Sequence, residues 1–501
     1  MSNDANSSNI SSYNNDLLRS WITHYFLLLL IAGSSCIFLV KIFYSIFIGS
    51  ALNHVAGIWI GLAMDFSEGI FYRPLFSESI GFGGTRYFPL FFSLHALMIK
   101  LCGMPILSGH IVSLFSGALL FIGCFFLLRQ MEVKPILAVG LISLLLSGAS
   151  IQWGLSTIRG DILPLALNIV GFAFFSSKYP MKYRMYFTSA CFVLAFSAKL
   201  TAINGIVSLF FWLILNRRKK EAWELLLFTF IGCIVFLGIL YFGTSSRIIS
   251  IFKICSSGGT DLYSILKSLP TAFTQTVTIY DPICLLLLFW ATIIICKYGK
   301  TVMSNLLFIF LLISTVLTII IFGSPGSDFN HLVDISTASI LLIGSTEFSC
   351  KSKSIRSSIY IYSFLIVFSV TYNLPSLTRL LKDDNKNIAK RYPQEIINLF
   401  KQDDVKVLSE DPMIPILANK RPYLLDPFML RLIILNSSSI RSSVFDSINH
   451  KKFSAIVFNA DPLKGTEWYS STHFGYDFVN KVIYNYKEGI RKKNYVVYFP
   501  K

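Results

Sequence analysis

The chain has 501 residues, 54% of them hydrophobic and only 14% charged, with 45 phenylalanines. A soluble chain carries about 25% charged residues, so the composition excludes a soluble globular protein and points to one that crosses a membrane many times. The net charge of +17 does not indicate nucleic acid, because the basic residues fall in short clusters between apolar runs, as membrane topology requires. Nine cysteines are present. None has CxxC or Cys/His zinc spacing and most lie inside apolar runs, so they read as small buried hydrophobes rather than metal ligands or redox pairs.

Residues 1–21 are rich in Asn and Ser and lack the features of a cleavable signal; they are expected to form a disordered cytoplasmic tail. A first span is predicted over 22–48. A polar loop follows over 50–107, ending in an amphipathic stretch at 88–101. Further spans are predicted near 108–128, 135–157, 161–177, 185–199, 201–215, 223–243, 281–296, 303–322, 332–346 and 357–373, which is about eleven on the ~20-residue rule. Alternate loops carry Arg129 and Lys134; Lys178, Lys182 and Arg184; Arg217 to Lys220; Lys297 and Lys300; and Lys351, Lys353 and Arg356. The short loops of the opposite set carry only Arg159 and Lys199. The positive-inside rule then makes the N-terminus cytoplasmic and puts loop 50–107 outside, with everything after 374. The expected location is the plasma (inner) membrane.

The segment 374–501 changes character: it is charged and cysteine-free. Its stretches VKVLS, PYLLD, SAIVFN and YVVYF read as strands, and IAKRYPQEIINLFKQ and YDFVNKVIYNYKEG as amphipathic helices. That alternation predicts a small α/β domain with a largely parallel sheet.

Polar groups at the ends of spans carry the chemical information, because each is costly near hydrocarbon. They are Asp65, Glu68, Arg73 and Arg86 in the first loop; Arg159 and Asp161; Lys199; and Asp328, Asn330, His331 and Asp334. Transfer from an anionic lipid-phosphate donor needs such a set: a carboxylate to take a hydroxyl proton, and cations with backbone N–H groups to hold phosphate. Each piece also has a plainer reading. Asp65 and Glu68 fit a solvated helix face, Gly83-Gly84-Thr85-Arg86 a tight turn, Arg159-Gly160-Asp161 an ion pair with Asp161 as helix cap, and Lys199 a snorkelling side chain. His331, without a second histidine, makes a poor metal site, and no metal is expected.

DFSEGIFYRPL with GGTRYFPLFFSLHAL, STIRGDILPLALNIVGF, FSAKLTA, GSPGSDFNHLVDISTAS and VLSEDPMIPILANKRPYLLDPFMLRLI together resemble the GT-C superfamily of polyprenyl-phosphate-sugar-dependent glycosyltransferases. The similarity is to its bacterial glycosyltransferase family 39-like group, relatives of protein O-mannosyltransferases and of the lipid A aminoarabinose transferase. The resemblance implies an all-α polytopic domain over 22–373 with an extracytoplasmic α/β domain over 374–501. It implies an inverting transfer of sugar from a polyprenyl-phosphate donor to a hydroxyl acceptor on the outer face, without a cofactor. It also makes Asp65 the general base, with Glu68 as substitute, and gives donor or substrate binding to Arg73, Arg86, Arg159, Asp161, Lys199, Asn330 and His331. The chain departs from the family where an acidic pair usually follows the first span: Asn53-His54 stands there, so the base is Asp65, His54 or Asp161. Glu410, Asp411 and Asp426 suit acceptor recognition or contact with the membrane loops rather than catalysis. A transporter of lipid-linked sugar is the alternative, but it would show symmetric halves and broken helices in mid-membrane.

Overall fold

The computed structural model describes residues 4–324, 326–349, 355–382, 392–402, 405–464 and 468–501. Lys351, Lys353 and the beginning of the helix predicted from Ile388 lie outside these ranges. The first helix, α1 (Asp4–Ile48), extends back through the segment expected to be a disordered tail. Once an apolar span has nucleated a helix, each further residue adds a hydrogen bond at little cost. The polar loop contains two more helices, α2 (His54–Ser67) and α3 (Pro89–Cys102), with a two-stranded ribbon of β1 (Phe76–Ser77) and β2 (Gly81–Phe82) between them.

Beyond the loop the apolar runs become helices where the sequence predicts them. They are α4 (Pro105–Gln130), α5 (Pro135–Leu146), α6 (Ala149–Ser156), α7 (Ile162–Phe175), α8 (Met181–Ala198), α9 (Asn204–Leu215) and α10 (Lys219–Gly243). After the short α11 (Arg247–Ser257) and α12 (Leu262–Thr271) come α13 (Pro282–Tyr298), α14 (Lys300–Met303), α15 (Leu306–Phe322), α16 (Val333–Glu347) and α17 (Ile355–Lys382). Four stretches among the described residues are long and apolar enough to cross a membrane singly: Tyr25–Ile48, Pro105–Gln130, Lys219–Gly243 and Ser357–Lys382. Several of the other expected spans are shorter; a 14-residue helix such as α7 is about 21 Å long at ~1.5 Å per residue, against a hydrocarbon core of about 30 Å.

The single span expected over 135–157 is broken instead, α5 and α6 meeting at 79°. Asp281 accounts for the break. Its carboxylate accepts from the Ser150 N–H (2.9 Å) and from the Cys284 N–H (3.2 Å), capping α6 and α13 together. A helix that starts afresh at residue 149 has orphan N–H groups, and a buried carboxylate satisfies one of them.

The C-terminal part carries α18 (Gln394–Leu399), α19 (Met413–Leu417), α20 (Pro427–Asn436), α21 (Ser438–Asn449) and α22 (Tyr476–Asn485) around one sheet. The sheet runs β3 (Val407–Ser409), β4 (Ala455–Phe458), β6 (Tyr495–Pro500), β5 (Tyr486–Lys492). Only the β3–β4 pair is parallel; β4–β6 and β6–β5 are antiparallel. The largely parallel sheet expected from the sequence is therefore corrected. The helix predicted through Gly489 stops at Asn485, and the chain reverses as a hairpin at Lys493-Asn494, where Lys493 takes a positive φ of 53°.

PYLLD is not a strand of this sheet. It lies extended against the first loop: the Phe82 N–H donates to the Tyr423 carbonyl (2.8 Å) and the Leu425 N–H to the Phe82 carbonyl (3.2 Å). Gly81 makes that approach possible, with φ +86° and a position where a Cβ would sit 1.9 Å from the Tyr423 oxygen. The apolar contacts follow the same route. Trp59, Ile60, Phe91 and Phe92 of the loop share one buried cluster with Met413, Ile414, Leu425, Val457 and Val497. Loop and C-terminal sheet are thus two sides of one core.

Candidate functional site

Asp65 lies near the end of α2 and is 1% exposed. Arg73 grips it as a fork: Nε donates to Oδ2 (2.6 Å) and Nη2 to Oδ1 (3.0 Å). The remaining Nη1 of Arg73 donates to the Ile80 carbonyl (3.0 Å) and to the Pro422 carbonyl (2.7 Å). Arg421 adds a second cation, its Nε 3.2 Å from Asp65 Oδ1 and its Nη2 on the exposed Glu68. Asp65, Glu68 and Arg73 therefore do come together, as a fastening between the loop and the C-terminal part. A carboxylate with both oxygens engaged by arginines is poorly placed to accept a substrate proton.

A second cluster is built from three loop ends. Asp161 occupies the N-cap position of α7, but its side chain makes no cap hydrogen bond. It turns to Lys199, at the C-terminal end of α8, whose Nζ donates to Oδ1 (2.8 Å), and to Arg159, whose Nε lies 3.1 Å from Oδ2. His331, in the 3-10 turn Phe329–Leu332, brings Nδ1 to 3.5 Å from Lys199 Nζ. Burial, the largest influence on Asp161, favours its neutral form, but Lys199 and Arg159 outweigh it and hold the carboxyl well below the usual range. The cluster faces a cavity also lined by Asn204, Thr318 and Asp334. Asn204 Nδ2 donates to Asp334 Oδ1 (2.9 Å) and to Ser314 Oγ (3.1 Å). Asn330 is buried next to His331, with neither amide atom hydrogen-bonded among the described residues.

Arg86 stands apart from the Asp65 fastening, against the C-terminal part. Its guanidinium lies 4.0 Å from the centre of the Phe428 ring, and it acts electrostatically on Asp426, His54 and His331. Asp161 is the carboxylate paired directly with Arg159 and Lys199, while Asp334 acts on Lys199 and Asp426 on Arg86. Among the described residues, no group of three or more His, Cys, Asp and Glu side chains is arranged to hold a metal ion.

Asn53 has a local role that the sequence reading did not assign: as N-cap of α2 its Oδ1 accepts from the Val55 N–H (3.1 Å) and the Ala56 N–H (3.2 Å). Arg421 and His473 were also missed; both are partners of flagged carboxylates, and neither sits in a local pattern that distinguishes it.

Burial, then the Lys199 charge, pushes His331 down to about 3; burial, then His473, does the same to His54. Both folded values lie below the ordinary 6.5, so the unfolded chain binds more protons between those limits. The stability they contribute is complete above about pH 6.5 and is lost as pH falls toward 3. Thermal unfolding in detergent should show a midpoint that drops between pH 7 and 5, and His331→Gln should flatten that slope. An unchanged slope would remove His331 as its source.

Two solved structures superpose on most of the chain. The apo oligosaccharyltransferase of Archaeoglobus fulgidus matches with a TM-score of 0.57 at 10% identity, over 94% of this chain and 73% of its own. ArnT from Cupriavidus metallidurans, bound to undecaprenyl phosphate, matches with a TM-score of 0.55 at 11% identity, over 94% of this chain and 97% of its own. The chain has the GT-C fold. The likeness extends to the archaeal oligosaccharyltransferase AglB from Archaeoglobus fulgidus in complex with an inhibitory peptide and a dolichol-phosphate (TM-score 0.51, 11% identity, over 93% of this chain and 73% of its own). No family model and no curated protein matches the sequence. The cluster of Arg159, Asp161, Lys199 and His331 is thus defined by its own geometry, and identities this low carry no residue across.

Proposed function

We propose that this GT-C protein is a membrane glycosyltransferase that moves a sugar from a polyprenyl-phosphate donor to a hydroxyl acceptor, inverting the anomeric centre. The observation that carries the reading is the cluster at three loop ends in which Asp161, Lys199 and His331 line one cavity and Arg159 pairs with Asp161. Asp161 keeps Arg159 and Lys199 together before any ligand arrives, and the two cations then meet the phosphate as charge grows on it. Two of the GT-C structures it resembles hold undecaprenyl phosphate and a dolichol-phosphate, which supports a lipid-phosphate ligand here. Arg86, Asn330 and His331 complete the donor site in this reading, while Asp65, Glu68 and Arg73 shape the loop. The basic residues of the alternate loops support an extracytoplasmic position for the site and for residues 374–501.

The test is a transfer assay with radiolabelled polyprenyl-phosphate sugars in membranes containing the protein. Label should move from the lipid to a water-soluble or lipid acceptor, with release of polyprenyl phosphate. Movement of intact donor across sealed vesicles without cleavage would replace the transferase by a transporter.

A further inference from the structure

A second set of titratable groups lies outside the phosphate cluster and joins the C-terminal part to the start of α2. Glu410, at the end of β3, is fully buried and accepts four hydrogen bonds. The donors are the Asn459 N–H (2.8 Å), Trp468 Nε1 (2.9 Å), the Tyr469 hydroxyl (2.8 Å) and His473 Nδ1 (2.7 Å). Burial, its largest influence, raises the carboxyl, but the hydrogen bonds led by that from His473 outweigh it, so Glu410 is held ionised below its ordinary range. An ionised carboxylate only accepts, which fixes the His473 proton on Nδ1. The His473 ring then meets His54 edge to face, centroids 5.3 Å apart, and Trp468, packed 4.4 Å from the His473 ring, reaches the same side of His54 at 6.2 Å. His54 itself is only half-buried.

The charged and titratable groups acting on His54 come from both sides. They are His473 and Glu410 behind it, and Arg159 of the phosphate cluster together with Arg86 in front; Asp411 acts on the Glu410–His473 pair from its own strand end. A buried Glu–His pair packed edge to face on a half-buried histidine, within electrostatic reach of Arg159, is an arrangement for moving a proton beside a leaving phosphate.

Resting on the transferase reading, we infer that His54 is the general base for the acceptor hydroxyl and that His473 and Glu410 are its positioning residues. The acceptor O–H gives its proton to the neutral imidazole of His54 as the oxygen bonds to the anomeric carbon. The bond from that carbon to the donor phosphate oxygen breaks, and its electron pair leaves on the phosphate, facing Arg159 and Lys199. The His54 proton then passes to solvent. Glu410, a buried anion within electrostatic reach, favours the imidazolium while it exists. Arg159 and Arg86 disfavour it in the empty site, so an anionic donor that neutralises them makes His54 a stronger base when the substrate is in place.

The experiment uses the full-length protein in detergent or membranes with a radiolabelled polyprenyl-phosphate sugar as donor. His54→Gly should lower kcat by about 10²–10⁴-fold, with the loss partly restored by added imidazole. His54→Gln, which keeps the bulk but cannot take up the proton, should be as slow and gain nothing from imidazole. His473→Gln should reduce kcat with little change in KM and move the acid limb of the kcat profile, while a staple that only holds the fold would lower the thermal midpoint and leave that limb in place. Variants with native thermal midpoints that keep full kcat, or a His54→Gly enzyme that imidazole does not rescue, would overturn the assignment while leaving the transferase standing. A wild-type protein that cleaves no lipid-linked donor would overturn both.

Discussion

Lys199→Ala should lower the rate of sugar transfer by about 10²–10³-fold, the usual cost of removing one donor from the site of developing charge. Lys199 is the pivot of the cluster, touching Asp161 at 2.8 Å and His331 at 3.5 Å. Its loss leaves Asp161, whose side chain is 11% exposed, facing Arg159 alone. It also removes one of the charges that would stabilise polyprenyl phosphate as it departs. Lys199→Arg keeps the charge but replaces a compact ammonium with a planar fork, so a partial loss is expected. Initial rates over a range of donor concentrations separate the possibilities. A fall in kcat places Lys199 at the leaving group; a rise in KM with kcat unchanged would restrict it to ground-state binding.

Arg73→Met should destabilise the protein by about 3–5 kcal/mol, because it strands a buried carboxylate. Asp65 would keep only Arg421, and the Ile80 and Pro422 carbonyls would lose the donor they now share. Replacing both partners, Asp65→Asn with Arg73→Met, should recover part of the loss, since no buried charge is then left alone. Thermal unfolding of the purified variants reads the effect directly. Asp65→Asn, once corrected for the amount folded, should transfer sugar at close to the wild-type rate. A well-folded Asp65→Asn protein with no activity would return Asp65 to the role of base that the sequence assigned it.

The helices were legible because apolar runs under a charge penalty have one solution: backbone groups in hydrocarbon must bond within their own segment. The break between α5 and α6 was not legible, since the residue that stabilises it, Asp281, is distant in sequence. The same limit governs the site. Arg159, Asp161, Lys199 and His331 were flagged as polar groups at span ends, and the fold brings them together. Asp65 and Arg73 were flagged by the same criterion, yet they pair with each other, because a carboxylate eight residues from an arginine gives no sign of whether a substrate or a fork occupies it. In the C-terminal part, VKVLS and YVVYF became strands through local alternation. PYLLD has equal strand character and went to the loop, a choice made by Gly81 and Arg73 more than three hundred residues earlier.

That long-range join bears on how the protein is made. The loop emerges from the ribosome soon after the first span, but the Pro422 carbonyl, Arg421 and the extended Tyr423–Leu425 backbone that shape it are synthesised more than three hundred residues later. Until then Asp65 has only Arg73, Arg73 has only Asp65 and the Ile80 carbonyl, and the apolar face formed by Trp59, Phe91 and Phe92 lacks part of its cover. The proposed donor site thus acquires its finished geometry late in biosynthesis, after nearly all of the helical bundle exists. Chains cut short before residue 421 would carry every helix of that bundle and still lack a formed first loop, giving quality control an exposed apolar surface by which to tell incomplete molecules from finished ones.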